Sequence, residues 1–239
     1  MAEFDTIRTA AGARTAQIDE GLRAHMNKVY GTMSVGMLLT FAAAWAVGNN
    51  AAMMNVLFSG FTKYLVMFAP LIMVFAFGAV INKLSAAGAQ LFFYAFAALM
   101  GVSISYIFVV FTDFSIAQVF LITAISFAGL SLWGYTTKKD ISGWGSFLVM
   151  GLIGLIVASI INIFIASSAI MFAISVIGVL IFAGLTAYDT QDIKNEYLAH
   201  AQHGDSEWLG KSAIMGALRL YLDFINMFIM LLNLLGARE

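Results

Sequence analysis

Between Ile141 and Tyr188 the chain runs for 48 residues without a Lys, Arg, Asp or Glu. One helix of that length would be about 70 Å long, more than twice the hydrocarbon thickness of a bilayer. The stretch therefore has to be two spans, and Ala166-Ser167-Ser168 is the natural break. Val29–Thr62, Tyr64–Asn82, Leu84–Thr112 and Phe114–Thr137 are equally free of charge. A large soluble core is the competing explanation, and it fails on run length. The overall composition agrees, with 62% hydrophobic residues, 10% charged and a mean hydropathy of +0.92, against roughly 25% charged in soluble domains.

A further apolar helix containing Asp223 brings the count to seven spans, predicted near 29–48, 64–81, 89–111, 116–134, 147–166, 169–189 and 213–235. Continuous apolar runs and a single proline favour helices over an alternating-pattern barrel. Pro70 falls inside the second span and is expected to kink it. The fold class is all-α: a polytopic membrane protein with a tail at 1–28 and one seven-helix domain at 29–239. Met1–Lys28 lacks the short apolar run and cleavage site of a signal peptide, so the first span is expected to act as an uncleaved anchor. Lys and Arg counted on alternate sides number nine against two, leaving out Arg219 inside a span. That imbalance predicts a cytoplasmic N-terminus and an outside C-terminus. Six spans with a re-entrant last segment is the alternative, because that segment carries two charges.

The chain has no cysteine, which excludes disulfides, thiolate-held clusters and thiol catalysis. A net charge of −1 without a basic cluster argues against nucleic acid as a partner. His25, His200 and His203 are placed in cytoplasmic segments. His200-x-x-His203 has no further ligand nearby and reads as two solvated loop residues rather than a metal site. No His-Glu-x-x-His, phosphate loop or nucleophile elbow is present. An intramembrane aspartyl protease is the enzyme class to weigh. Tyr188-Asp189 fits one of its motifs, but Tyr221-Leu222-Asp223 departs from the other, so no enzyme activity is expected.

Asp223 stands out on cost. A carboxylate at bilayer depth is unfavourable by about 2.5–3.5 kcal/mol even on the mildest scale. Ser212, Gly216, Arg219, Asp223, Asn226, Met230 and Asn233 follow steps of 4, 3, 4, 3, 4 and 3, which puts them on one helical stripe. Such a stripe should face other helices or water. A packing face held by interhelical hydrogen bonds accounts for Asn226 and Asn233. It accounts less well for Asp223, since a neutral amide would serve. Arg219, at i, i+4, is the expected partner. Asp189, Asp192 and Glu196 form a second acidic set at steps of 3 and 4. Asp192 and Glu196 read as a helix end entering water, whereas Asp189 directly follows a charge-free span.

Ala187-Tyr-Asp-Thr-Gln-Asp-Ile-Lys194 and Leu220-Tyr-Leu-Asp-Phe-Ile-Asn226 resemble the two signature segments of the Bax inhibitor (transmembrane Bax inhibitor motif) family. Gly134-Tyr-Thr-Thr-Lys-Lys-Asp140 and Met26-x-x-Val-Tyr30 are similar to further segments of its bacterial members. The resemblance covers nearly the whole chain and implies six helices around a central seventh. It also implies a pH-sensitive calcium leak whose gate, an aspartate pair, falls on Asp189 and Asp223. Where some relatives carry a latching arginine at the end of the second span, this chain has Asn82-Lys83, making Lys83 a substitute to examine. Arg219 replaces a small polar residue of those relatives.

Two carboxylates within hydrogen-bond reach cannot both ionise cheaply and should share a proton, with Arg219 opposing that by favouring the ionised form. Ca²⁺ prefers oxygen ligands, and two carboxylates are too few for a tight site, as a leak requires. The expectation is thus a passive calcium (cation) leak in a bacterial inner membrane. Asp189, Asp223, Arg219, Asn226 and Lys83 would lie on its gate or pathway, with Ca²⁺ as permeant ion, weak metal binding at Asp189 and Asp223, and no cofactor. The alternative is a membrane regulator acting through protein contacts, for example on a membrane-bound protease gripped through Met1–Lys28. A proton-coupled transporter is a third class, unsupported by any repeat symmetry.

Overall fold

The computed structural model describes residues 2–200 and 205–238, with side chains described from Gln17 onward. The helices are α1 (Ala2–Gly48), α2 (Ala51–Leu57), α3 (Thr62–Val80), α4 (Ala86–Ile104), α5 (Ile107–Val110), α6 (Asp113–Thr136), α7 (Trp144–Ile165), α8 (Ser168–His200) and α9 (Ser206–Leu235). Seven stretches among the described residues are long and apolar enough to cross a membrane: Gln17–Gly48, Thr62–Lys83, Ala86–Val110, Asp113–Thr136, Trp144–Ile165, Ser168–His200 and Ser206–Leu235. Each contains one of the spans expected from sequence, apart from residue 111 of the third and residue 166 of the fifth, which fall one position past the ends given. α3 continues through Pro70 as one helix.

Helix ends fall where small polar side chains replace missing backbone partners. Ser85 accepts from Gly88 N at 3.1 Å to open α4, and Thr112 accepts from Ser115 N at 3.3 Å to open α6. Asp205 accepts from Glu207 N at 2.9 Å to open α9. The long charge-free stretch breaks at Ala166, whose φ of 54° is left-handed, and Asn162 Oδ1 accepts from Ser167 N at 3.1 Å to hold the turn.

α9 is the core of the bundle. Half of its most apolar window is buried, against 17% for α3 and for α7. The six-around-one arrangement is therefore uneven. α9 packs chiefly on α1, α4, α6 and α8, while α3 leans mainly on α4 and α7 on α8. The reason lies in the side chains: α7 turns Phe147, Met150, Ile153, Phe164 and similar residues outward, toward lipid.

α1 passes through the 28/29 boundary as a single helix, and Leu22, Met26, Val29 and Met33 recur at helical spacing into the hydrophobic core. His25, expected in a cytoplasmic tail, is buried there, with its ring 5.0 Å from that of Tyr197. The cause is the extension of α8 beyond its span, which gives this part of α1 a surface to pack against.

α9 also crosses the bundle from one face to the other. At its start, Glu207 Oε1 accepts from Ala86 N at 2.7 Å, in the connection between the second and third spans. At its end, Ala237 O accepts from Thr112 N at 3.1 Å and Ala237 N donates to Ser115 Oγ at 2.9 Å, in the connection between the third and fourth. Those two connections lie at opposite ends of α4. A re-entrant last segment is incompatible with this.

Candidate functional site

The four motif segments singled out in the sequence meet at one end of the bundle. Gly134 on α6 lies so close to the Ala187 carbonyl of α8 that a Cβ there would sit 2.3 Å from its oxygen. The absence of a side chain is what lets the two backbones touch. Around this contact α8 grips the α6–α7 connection. Gln191 accepts from Ile141 N at 2.9 Å and donates to Lys139 O at 2.8 Å, and Lys194 Nζ donates to Tyr135 O at 2.8 Å. A run of hydroxyls ties in α1: Tyr30 Oη lies 2.6 Å from Ser131 Oγ, which lies 2.9 Å from Thr190 Oγ1. Thr190 spends its proton on the Thr186 carbonyl at 2.7 Å. Ser131 must then donate to Thr190, and Tyr30 to Ser131, so every proton in the run points toward α8.

This grip fixes the register of α8, and with it Asp189. Its carboxyl group faces that of Asp223 across the α8–α9 interface. Asp223 is only 4% exposed, and its Oδ2 is enclosed with no hydrogen-bond donor among the described residues. Close packing holds the interface: Ile193 of α8 fills the space over Gly216 of α9, and Met230 of α9 covers Gly178 of α8.

Arg219 does not pair with Asp223 as the i, i+4 spacing predicted. Its Nη1 donates to Asp192 Oδ2 at 2.6 Å. The long side chain turns across to α8, where both groups keep substantial exposure, 38% and 43%. A solvated ion pair costs less than burying the guanidinium beside Asp223, and contributes at most about 1 kcal/mol. Arg219 and Asp192 both remain near enough to act electrostatically on Asp189. Asp192, read from sequence as a helix end entering water, is the partner that was missed.

Lys83 is not brought to the pair. It is exposed at the end of the short 3₁₀ turn Ile81–Lys83, without a salt bridge among the described residues. Asn226 lies one turn further along α9 and donates Nδ2 to Leu222 O at 2.8 Å, and its amide oxygen accepts no hydrogen bond among the described residues. Two residues before Asp223, Tyr221 is fully buried, with its hydroxyl 2.6 Å from Thr40 Oγ1 and its ring edge-on to Phe93 and Phe96. His200 stacks on Trp208 at 4.4 Å; His203 lies outside the described residues. Among the described residues, no three His, Cys, Asp or Glu side chains come together in a metal-holding group.

Seven apolar helices, with two carboxyl groups facing each other between the last two, define a polytopic membrane protein with an ionisable site. Residues 22–239 match the family described as inhibitor of apoptosis-promoting Bax1, and the chain belongs to this Bax inhibitor family. It is similar to the inner membrane protein YbhL of Escherichia coli (strain K12), at 47% identity over 92% of this chain and 94% of that one. A protein of Rickettsia prowazekii (strain Madrid E) is 41% identical over 98% and 97%. A membrane protein of Streptococcus pyogenes serotype M3 is 43% identical over 71% and 72%.

Proposed function

We propose that the protein is a pH-sensitive passive leak for calcium or a similar cation, with Asp189 and Asp223 as its gate, in the inner membrane of a bacterium and with its N-terminus cytoplasmic. The observation that carries this reading is the enclosed Asp223 Oδ2, which faces a second carboxyl group and has no donor among the described residues. An acceptor in that position is satisfied by a proton shared across the pair or by a cation. With one proton between them the carboxyls are joined by an O–H···O bond, and α8 is tied to α9. With none, two unit charges about 4 Å apart repel by about 4 kcal/mol at an effective dielectric constant of 20. A single interhelical hydrogen bond in a membrane contributes only about 0.6 kcal/mol. Repulsion therefore outweighs any one clasp on α8, and proton occupancy sets the helix separation.

In this arrangement Asp223 is shut off from solvent and Asp189 keeps partial exposure, so the closed gate would be sealed at Asp223. The Arg219–Asp192 pair would form the wet vestibule, and the Asn226 oxygen would be the next ligand along the path. Two carboxylates and an amide oxygen suit a hard cation in passing. No enzyme activity and no resident cofactor is part of this reading.

Ca²⁺ flux into proteoliposomes, measured against external pH, tests it. The wild type should conduct with a pH-dependent rate, and Asp223→Asn should lose most of that dependence, because an amide neither ionises nor repels. A wild type that conducts at no pH overturns the leak. That outcome would leave regulation of a membrane partner, such as a protease, as the reading. Uphill uptake driven by a proton gradient would instead indicate a transporter.

A further inference from the structure

We propose that the cleft between α1 and α6 binds the phosphodiester headgroup of an anionic phospholipid from the leaflet on the Arg23 side. These two helices do not pack along their lengths. They are bridged by the Tyr30–Ser131 hydrogen bond of 2.6 Å, and beside it lies a cleft of about 480 Å³. That volume is typical of a small-molecule site.

The lining is graded along the helix axes. Arg23, Asn27 and Tyr135 stand at the outer end, Tyr30 and Ser131 at the middle, and Phe127 and Ala128 at the inner end. From Arg23 to Tyr30 the rise along α1 is about 10 Å, enough for a headgroup above and the first methylenes below. A soluble anion would have no use for the apolar half. A neutral hydrocarbon would have no use for the cation.

Charge complementarity selects the anionic class. Arg23 is exposed and makes no salt bridge among the described residues, although Asp19 and Glu20 lie one turn away on its own helix. Lys194 adds positive charge behind the cleft wall, with Nζ 5.3 Å from the centre of the Tyr135 ring. Lys138 and Lys139 follow Tyr135 by three and four residues in the chain. The depth is also right. Trp133 and Trp144, exposed and stacked at 6.1 Å, flank this level of α6, and exposed tryptophans of a membrane protein gather at the headgroup layer. Phosphate oxygens would accept from the Arg23 guanidinium and the Asn27 amide. The inference does not depend on ion conduction.

Native mass spectrometry of the full-length protein in detergent, titrated with phosphatidylglycerol or with phosphatidylcholine of the same chains, tests the site. The wild type should prefer phosphatidylglycerol. Arg23→Gln should reduce that preference about fivefold, the worth of one basic residue at an anionic surface. Ala128→Trp, which fills the cleft from an exposed position, should weaken both lipids. Lys63→Gln, a basic residue outside the cleft, should change nothing. Glycerol 3-phosphate, the headgroup without chains, should not compete. The proposal is overturned if Arg23→Gln and Lys63→Gln behave alike, if Ala128→Trp has no effect, or if glycerol 3-phosphate displaces the lipid at equal concentration. Thermal melting of each variant shows that the fold is kept, since Arg23 and Ala128 are both exposed.

Discussion

Gly134→Ala should cost the protein about 2 kcal/mol, and the figure follows from one contact. The new methyl would lie 2.3 Å from the Ala187 carbonyl oxygen, where ordinary contact begins at 3.4 Å. The obstacle is backbone in the middle of α8, not the end of a flexible side chain, so α8 has to retreat by roughly 1 Å. That retreat would stretch the Ser131–Thr190 bond from 2.9 Å and the Lys194–Tyr135 carbonyl bond from 2.8 Å, both made across the same interface. Overpacking of this kind falls at the upper end of the usual range, about 3 kcal/mol. Alanine recovers about 1 kcal/mol through helix propensity, which leaves about 2 kcal/mol of net loss.

For a chain of this size that loss lowers the melting temperature by about 4–8 °C. The control is Gly129→Ala on the same helix, where a Cβ meets nothing within 4 Å. It should melt at the wild-type temperature or slightly above. Melting of detergent-solubilised protein, followed by tryptophan fluorescence, reads both. If Gly134→Ala melts no lower than Gly129→Ala, the α6–α8 backbone contact does not hold Asp189 in register.

Arg219→Ser removes the cation nearest the pair; a cation favours ionised carboxylates, so without it protonation persists to higher pH. The midpoint of the flux–pH curve should move up; an unchanged midpoint means the Asp192 pairing isolates it. Tyr221→Phe deletes the donor to Thr40, whose own proton goes to the Ala97 carbonyl at 2.8 Å. Chemical denaturation should register a loss of about 1 kcal/mol, and no loss would mean the bond is replaced in the unfolded reference state. Reporters fused at Met1 and after Glu239 should read cytoplasmic and outside respectively; both on one side would contradict the full crossing of α9.

What could be read from the sequence divides along a physical line. The length of a charge-free run and the cost of a buried carboxylate are properties of the chain in its solvent. The seven spans, the break at Ala166, and the prominence of Asp189 and Asp223 follow from them without any knowledge of neighbours. Partner choice is a property of the packed bundle. Arg219 has Asp223 one turn away on its own helix, yet it bonds Asp192 across the interface, because water is available there and not beside Asp223.

Hydroxyls show the same limit more sharply. Thr123 and Ser159 bond their own i−4 carbonyls and link nothing, at 2.7 and 2.8 Å. Thr190 does the same and yet also receives Ser131, because α6 happens to lie against it. No pattern within a single helix separates these cases, so the Tyr30–Ser131–Thr190 run had no signal in any one segment. Its trace lay in the coincidence of motifs: Met26–Tyr30, Gly134–Asp140 and Ala187–Lys194 are far apart in the chain and share one end of the fold. Those segments, with Ser131 and Ile141 beside them, hold α8 by four polar links and one backbone contact, while among the described residues the carboxyl pair they position has no hydrogen bond to an uncharged group. The proposed gate asks for that division of labour, with helices held in register by groups other than the two acids whose charge would change.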